Sequence, residues 1–312
     1  MIETPVRVAG DAFHGRYVNP SAQAEFVNRT LHAARDAARF RTCRSSRLRG
    51  RPFRFLQAIW DIQQAPWVET DAGDTLLIFR ANTLEAAAPT LFEQESLFEE
   101  DRLQRNWTVF DLLGQILQEV QNSQAQDIHL DYGMLDSVQS FSHSFHHGLD
   151  LARFDFRTHG RTEAAVIDAP LVLKAGEALH DTPASRRIRI AGVLDMLRMS
   201  NRLFQIVLDD GAKVRGVWMH DTTEVRSFLG ERVLMEGEAT FRANGEIVAI
   251  QADAARTATG ADAAFSRKPI ISSVEARSKL TQRGDGAFRP IVGQWPGDET
   301  DQEITDYLAA VS

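Results

Sequence analysis

Residues 186–254 alternate apolar and polar side chains in five short runs, and each break between runs carries its own chemical mark. No other stretch of the chain constrains the fold as much. The run 186–197 keeps a period of two for most of its length, with Gly192 in the middle, where a strand must bend. Residues 203–208 form a second strand that ends in Asp209-Asp210-Gly211, a hairpin turn, and residues 213–219 form the third. Residues 222–229 have the spacing of a short helix, closed by Gly230 just past the last apolar position. Residues 231–241 and 246–253 then flank Ala243-Asn244-Gly245, a second hairpin. The predicted order is strand–strand–strand–helix–strand–strand.

The register of the first hairpin follows from its turn. A three-residue loop with Gly211 left-handed sets Leu208 opposite Ala212, Ile206 opposite Val214, Phe204 opposite Gly216 and Arg202 opposite Trp218. One face then carries Phe204, Ile206, Leu208, Val214 and Trp218, which is a core. A two-residue loop would pair Ile206 with Arg215 and mix the faces. The other face holds Leu203, Gln205, Val207, Lys213, Arg215, Val217 and Met219, half of it apolar. Such a face is expected to dock on the rest of the chain rather than meet water.

At 312 residues two domains are expected, and 43% hydrophobic with 25% charged residues is ordinary for a globular protein. No apolar run approaches the length of a membrane span, and residues 1–5 lack the basic start and apolar core of a secretory signal. Cys43 is the only cysteine, so no intrachain disulfide can form. These features predict a cytoplasmic protein without membrane association. The net charge of −8 argues against nucleic-acid binding by the whole surface. The charge is unevenly spread, however. Residues 29–54 hold nine arginines against Asp36 alone, whereas residues 61–136 hold fifteen carboxylates against three arginines. The two stretches either face each other or leave a basic patch for phosphates.

Before the alternating segment the pattern is mixed. Residues 1–18 read as a loose lead-in. Asn19-Pro20 starts a helix that turns Phe26, Val27, Leu31, Ala34 and Ala38 inward. Residues 52–60 and 75–80 are candidate strands. Thr108 and Asp111 form a capping box for a helix through Val109, Leu112, Leu113, Ile116, Leu117 and Val120. A second helix carries Met134, Val138, Phe141 and Phe145. Residues 149–157 and 162–167 are strands around a turn at Gly160, and a helix spans about 170–180. Beyond 256 the composition shifts to Ala, Ser, Thr, Gly and Arg, which predicts a linker as far as 290. Thr300 and Glu303 then have capping-box spacing, with Ile304, Tyr307, Leu308 and Val311 at helical intervals. The expected class is α+β: a lead-in (1–18), an α+β domain (19–182), a five-stranded barrel domain (183–256), and a linker with a short C-terminal helix (257–312).

Catalytic fingerprints are missing: no glycine-rich phosphate loop, His-Glu-x-x-His, Gly-x-Ser-x-Gly or Cys-x-x-Cys occurs. Asp127, His129 and Asp131 alternate and would point one way on a strand. His143 and His147 lie one helical turn apart, so these five residues are the candidates for a metal-dependent hydrolase centre. The competing expectation is that Asp131 caps a helix and the histidines lie on its polar side. For nucleic acid the candidates are Arg41, Arg44, Arg47 and Arg49 with Arg202, Lys213 and Arg215; Trp218 faces the core in the register above. Residues 186–256 hold eleven basic and ten acidic residues, a nearly neutral balance.

The Arg-Ile-Ala-Gly-Val-Leu-Asp-Met run at 189–196 and the Leu-Asp-Asp-Gly hairpin at 208–211 resemble an OB-fold module of uncharacterised bacterial proteins. The resemblance implies a five-stranded OB-like β-barrel. The tail Gly-Gln-Trp-Pro-Gly-Asp-Glu-Thr-Asp-Gln-Glu-Ile at 293–304 is similar to the C-terminal ends of bacterial antitoxins that pair with PIN-type ribonuclease toxins. It implies a non-enzymatic, antitoxin-like interaction protein without a cofactor. Such a protein would grip a partner, a small toxin-like nuclease, through Trp295, Ile304, Tyr307, Leu308 and Val311. An OB-fold nucleic-acid-binding protein is the alternative, and a metal-dependent hydrolase the third.

Overall fold

Thr4, Val6 and Val8 alternate with exposed residues and make β1 (Ile2–Ala9) the middle strand of an antiparallel sheet. The computed structural model describes residues 1–15, 17–48, 50, 52–69, 74–93 and 102–269, without the side chains of 66–69. β1 is followed by the short pair β2 (Phe13–His14) and β3 (Tyr17–Val18). Next come α1 (Pro20–Cys43), α2 (Arg54–Ile59), β4 (Ile62–Glu69), β5 (Thr75–Ala81) and α3 (Leu84–Ala87). After these lie α4 (Val109–Asn122), α5 (Tyr132–Gln139), α6 (Ser142–His146), β6 (Leu151–Arg157), β7 (Thr162–Ile167) and α7 (Ala169–Asp181). The five-stranded sheet runs β4-β5-β1-β6-β7. α4 lies against it with Gly114 so close that a Cβ there would sit 2.2 Å from the Phe156 ring. α1 packs on α4 and α5, and α5 on α7.

Several local expectations hold. Asn19 caps α1 by accepting from the Ser21 and Ala22 amides, with Pro20 at the first helical position. The capping box of α4 is present, and all six of its expected core residues are buried. Three expectations are corrected. Residues 2–9 are not a lead-in but a central strand. Pro5 obscured this in the sequence, yet β6 pairs only with Val6–Ala9, so the missing amide leaves no gap in that ladder. Residues 52–60 contain α2 rather than a strand, with Leu56 and Ile59 buried at helical spacing. The expected second helix is two, α5 and α6, broken near Ser140 and Phe141.

The second half is a closed barrel. β8 (Arg186–Leu197), β9 (Leu203–Val207) and β10 (Lys213–Trp218) are followed by α8 (Thr222–Arg226), β11 (Arg232–Phe241) and β12 (Ile247–Thr257). Around the barrel the order is β10-β12-β11-β8-β9, with β10 and β12 parallel and the other pairs antiparallel. This is an OB-like β-barrel, its helix between the third and fourth strands. The hairpin register is the one derived from the turn: Ile206 faces Val214 and Phe204 faces Gly216. Gly211 has φ +80° and its amide bonds Leu208 O at 3.0 Å. Phe204, Ile206, Leu208, Val214 and Trp218 all join the barrel core.

The barrel does not give way to a linker at 257. Residues 260–265 form a 3-10 turn capped by Thr259 and Asp262, and the turn packs against β8. Arg256 grips Asp262 with two bonds of 2.8 and 2.6 Å, and the Asp209 amide bonds Ser266 O at 3.2 Å. The sequence hid this because its Ala- and Gly-rich composition resembles a linker, while the Arg256–Asp262 ion pair and the Thr259 cap hold the turn. The sheet with its helices and the barrel each have their own hydrophobic cluster, centred on residues such as Phe79 and Leu113 in one and Phe204 and Met235 in the other.

Candidate functional site

The two halves meet along the outside of the barrel. Asn201, in the β8–β9 loop and nearly fully buried, donates to Thr42 O at the end of α1, 2.8 Å away. Gln251 on β12 donates both amide protons, to Ser45 Oγ at 3.0 Å and Arg47 O at 2.7 Å. Arg198 reaches Leu91 O. Val217 is fully buried, while Leu203, Val207 and Met219 are half-buried.

Beside this junction lies a groove of about 790 Å³. One wall is the segment leading into α2. Phe53 and Phe55 stack with ring centres 5.5 Å apart and planes 14° from parallel, and Arg54 between them is exposed. The other wall is the β8–β9 loop and the end of β10, with Met199, Arg202, Met219 and His220. Across the opening, the Arg202 guanidinium lies over the Phe53 ring, 5.0 Å from its centre. Arg202 adopts φ +58°, a conformation that costs an L-residue about 1–2 kcal/mol. The loop keeps an arginine where glycine would be unstrained. Glu238, Gln251 and Asp253 also line it. Asp253 is held below the usual carboxylate range by its bonds to Arg187, both 2.8 Å, with a smaller contribution from His220.

Of the other basic candidates, few share a surface. Arg41 is half-buried; burial lowers its pKa, and it donates to Gln115 Oε1 at 3.0 Å. Arg44 ends α1 with φ +58°, and Arg47 pairs with Asp136. Arg29 pairs with Glu25 and Arg39 with Asp36, so much of the basic stretch is answered within its own half of the molecule. Lys213 is exposed and Arg215 half-buried on the outer face of β10. Arg49 lies outside the described residues. Of the described members of this set only Arg202 lines the groove. Phe53, Phe55 and Arg54 were missed because residues 52–60 read as a strand; the signal available was two phenylalanines around an arginine just after a proline.

The metal candidates do not converge. Asp127 ends a short 3-10 turn, so Asp127, His129 and Asp131 do not alternate on a strand. Asp131 is buried and caps α5, accepting from the Met134 amide at 2.9 Å and from the Ser46 hydroxyl and amide at 2.6 and 2.8 Å. Burial nonetheless raises its pKa. His129 is exposed 3.6 Å from Glu119, and His143 and His147 are exposed near α6. Among the described residues no group of three His, Cys, Asp or Glu side chains is placed to hold a metal ion. Trp295, Ile304, Tyr307, Leu308 and Val311 lie outside the described residues.

Fold and groove together define the class: an α+β protein whose OB-like barrel shares an aromatic- and arginine-lined groove with the preceding domain. Compared with known proteins, the chain matches no family, no curated protein and no solved structure. Among the described residues no helix is long and apolar enough to cross a membrane.

Proposed function

We propose that this chain is a non-enzymatic binding protein whose groove takes a short length of single-stranded nucleic acid. The observation that supports the reading best is the Phe53–Phe55 stack with Arg202 laid over it on the barrel's flank. Flat rings give a base a surface to stack on whatever its identity, and the arginines meet the backbone. Among the described residues Arg54 and Arg202 are the arginines that line the groove, and two phosphate contacts make the salt dependence of binding shallow. At about 0.7 counterions per phosphate contact, the log–log slope is near −1.4. The test is fluorescence anisotropy of a labelled 20-nucleotide single strand at about 50 mM salt, where screening is weak. Arg202→Gly is the informative variant, because glycine suits the left-handed backbone. Lost binding with a melting temperature no lower than that of the native chain supports the reading. Unchanged binding in the variant, or none in the native chain, overturns it.

The tail sequence favours a second reading. A capping-box spacing at Thr300 and Glu303, followed by Ile304, Tyr307, Leu308 and Val311 at helical intervals, suits capture by an apolar groove on a protein partner. By its resemblance to antitoxin tails, that partner is a small PIN-type nuclease. Mixing the chain with such a nuclease, intact or ending at Arg289, tests this. Equal complex formation by both overturns the role of the tail.

A further inference from the structure

We propose that the exposed face of the five-stranded sheet holds a phosphomonoester between Arg7 and Arg153. Neither residue lines the groove, and the site does not rest on the single-strand reading.

The register of the sheet sets the two arginines directly opposite each other, Arg7 on β1 and Arg153 on β6. Residues so paired share one face, with Cα atoms about 4.5–5.5 Å apart. Val6, Val8, Ala152 and Phe154 on either side of them are buried, so the arginines point to the outer face, where both are exposed. Like charges in this position repel. Elsewhere on the strands Arg80 stands opposite Glu3, Arg187 opposite Glu238 and Arg189 opposite Glu236. The row that holds Arg7 and Arg153 supplies no such carboxylate, since Leu76 lies beyond Arg7 and Val166 beyond Arg153. Arg7 is 3.9 Å from Asp74, and among the described residues Arg153 forms no ion pair.

An oxyanion between the two guanidinium groups turns their repulsion into two attractions. Each guanidinium is a planar fork of N–H donors that fits a pair of oxygens. A carboxylate has two oxygens and is filled by one fork. A phosphomonoester has three free oxygens and close to two charges, so it engages both forks. The same face carries Glu3, Asp74 and Asp155, which a chain of consecutive phosphates crossing the sheet would meet and a lone phosphate would not. Leu76, Leu151 and Val166 around the pair offer no aromatic ring for a base. Charge and shape therefore fit a single small phosphate ester.

The test follows the thermal midpoint of the intact chain at pH 8 in inorganic phosphate, acetate and chloride. The three are compared at equal ionic strength, so that screening is the same in each. At roughly tenfold its dissociation constant, phosphate should raise the native midpoint about 2 °C further than the other two salts. That excess should vanish in Arg7→Gln and in Arg153→Gln. In chloride, Arg153→Gln should melt no lower than the native chain, because a repulsion has been removed; a lower midpoint overturns the repulsion from which the site is inferred. Phosphate also stabilises proteins by being excluded from their surface, so an excess of equal size in both variants would be that general effect and overturns the site. No excess in the native chain, or one that acetate matches, overturns it as well. Binding of the labelled single strand should be the same in both variants as in the native chain. Strand binding that falls along with the phosphate effect overturns the assignment to a lone phosphate.

Discussion

At the scale of single residues, closure of the barrel depends on side chains that are absent. A Cβ on Gly216 would lie 2.3 Å from Ile250 O and 2.4 Å from the Phe204 ring, so β10 can approach β12 only without one. Gly216→Ala is expected to cost about 1–3 kcal/mol, the usual range for overpacking a filled interior. Urea denaturation measures it, and a midpoint equal to that of the native chain would show that the contact relaxes freely. Cys43 makes a second residue-scale case. It is fully buried beside Thr42, and burial pushes its thiol up to about 12. Because the thiolate is the reactive form, the native protein should react with a thiol-specific disulfide reagent at pH 8 far more slowly than the urea-unfolded chain. Equal rates would mean that α1 opens readily at its C-terminal end.

At the scale of elements, the 3-10 turn at Gly260–Phe265 is held by charge, and its pH dependence has a definite sign. Arg256 and the Thr259 amide hold Asp262 well below the usual carboxylate range. A depressed folded-state pKa means a contribution that is complete above the unfolded value, near 3.8, and is lost as pH falls below it. Asp36 and Asp131 have the opposite sign. Burial raises both, so protonation on acidification favours the folded packing of α1 and α5. Hydrogen exchange between pH 5 and pH 2.5 should therefore show protection failing at 259–266 before it fails in α1 and α5. Simultaneous loss would indicate that the Arg256–Asp262 pair does not hold the turn. The same elements show what could be read from sequence. Caps and hairpins were legible because Asn19-Pro20, Thr108 with Asp111 and Asp209-Asp210-Gly211 act over three or four residues. β1 and α2 were not, since Pro5 and the Phe-Arg-Phe run at 53–55 obtain their structure from distant partners. The groove was half legible for that reason: Arg202 lies in the readable barrel and the phenylalanines do not.

At the scale of the whole molecule, two hydrophobic cores are joined by a largely polar seam, and that seam decides whether they unfold together. Asn201 and Gln251 span it with three hydrogen bonds, and both side chains are almost fully buried. Removing one partner from a buried bond leaves the other unsatisfied, at about 1–3 kcal/mol for each stranded group. The double variant Asn201→Ala with Gln251→Ala removes the side-chain partner of Thr42 O and leaves Ser45 Oγ and Arg47 O their long 3.4 Å bond to each other on the N-terminal side of the seam. Neither core loses an apolar contact. The coupling between the halves should fall while each half keeps its own cluster. Native protein is expected to unfold in one cooperative urea transition, followed by tryptophan fluorescence and by far-ultraviolet circular dichroism. Of the five tryptophans Trp60, Trp67 and Trp107 lie in the first half and Trp218 in the barrel, so in a Trp295→Phe background the two halves can be separated by adding Trp218→Phe. In the double variant the transitions should part, with the groove between the halves loosened. Coincident transitions with an unchanged midpoint would show that apolar burial around Val217, rather than the hydrogen-bonded seam, holds the barrel in place.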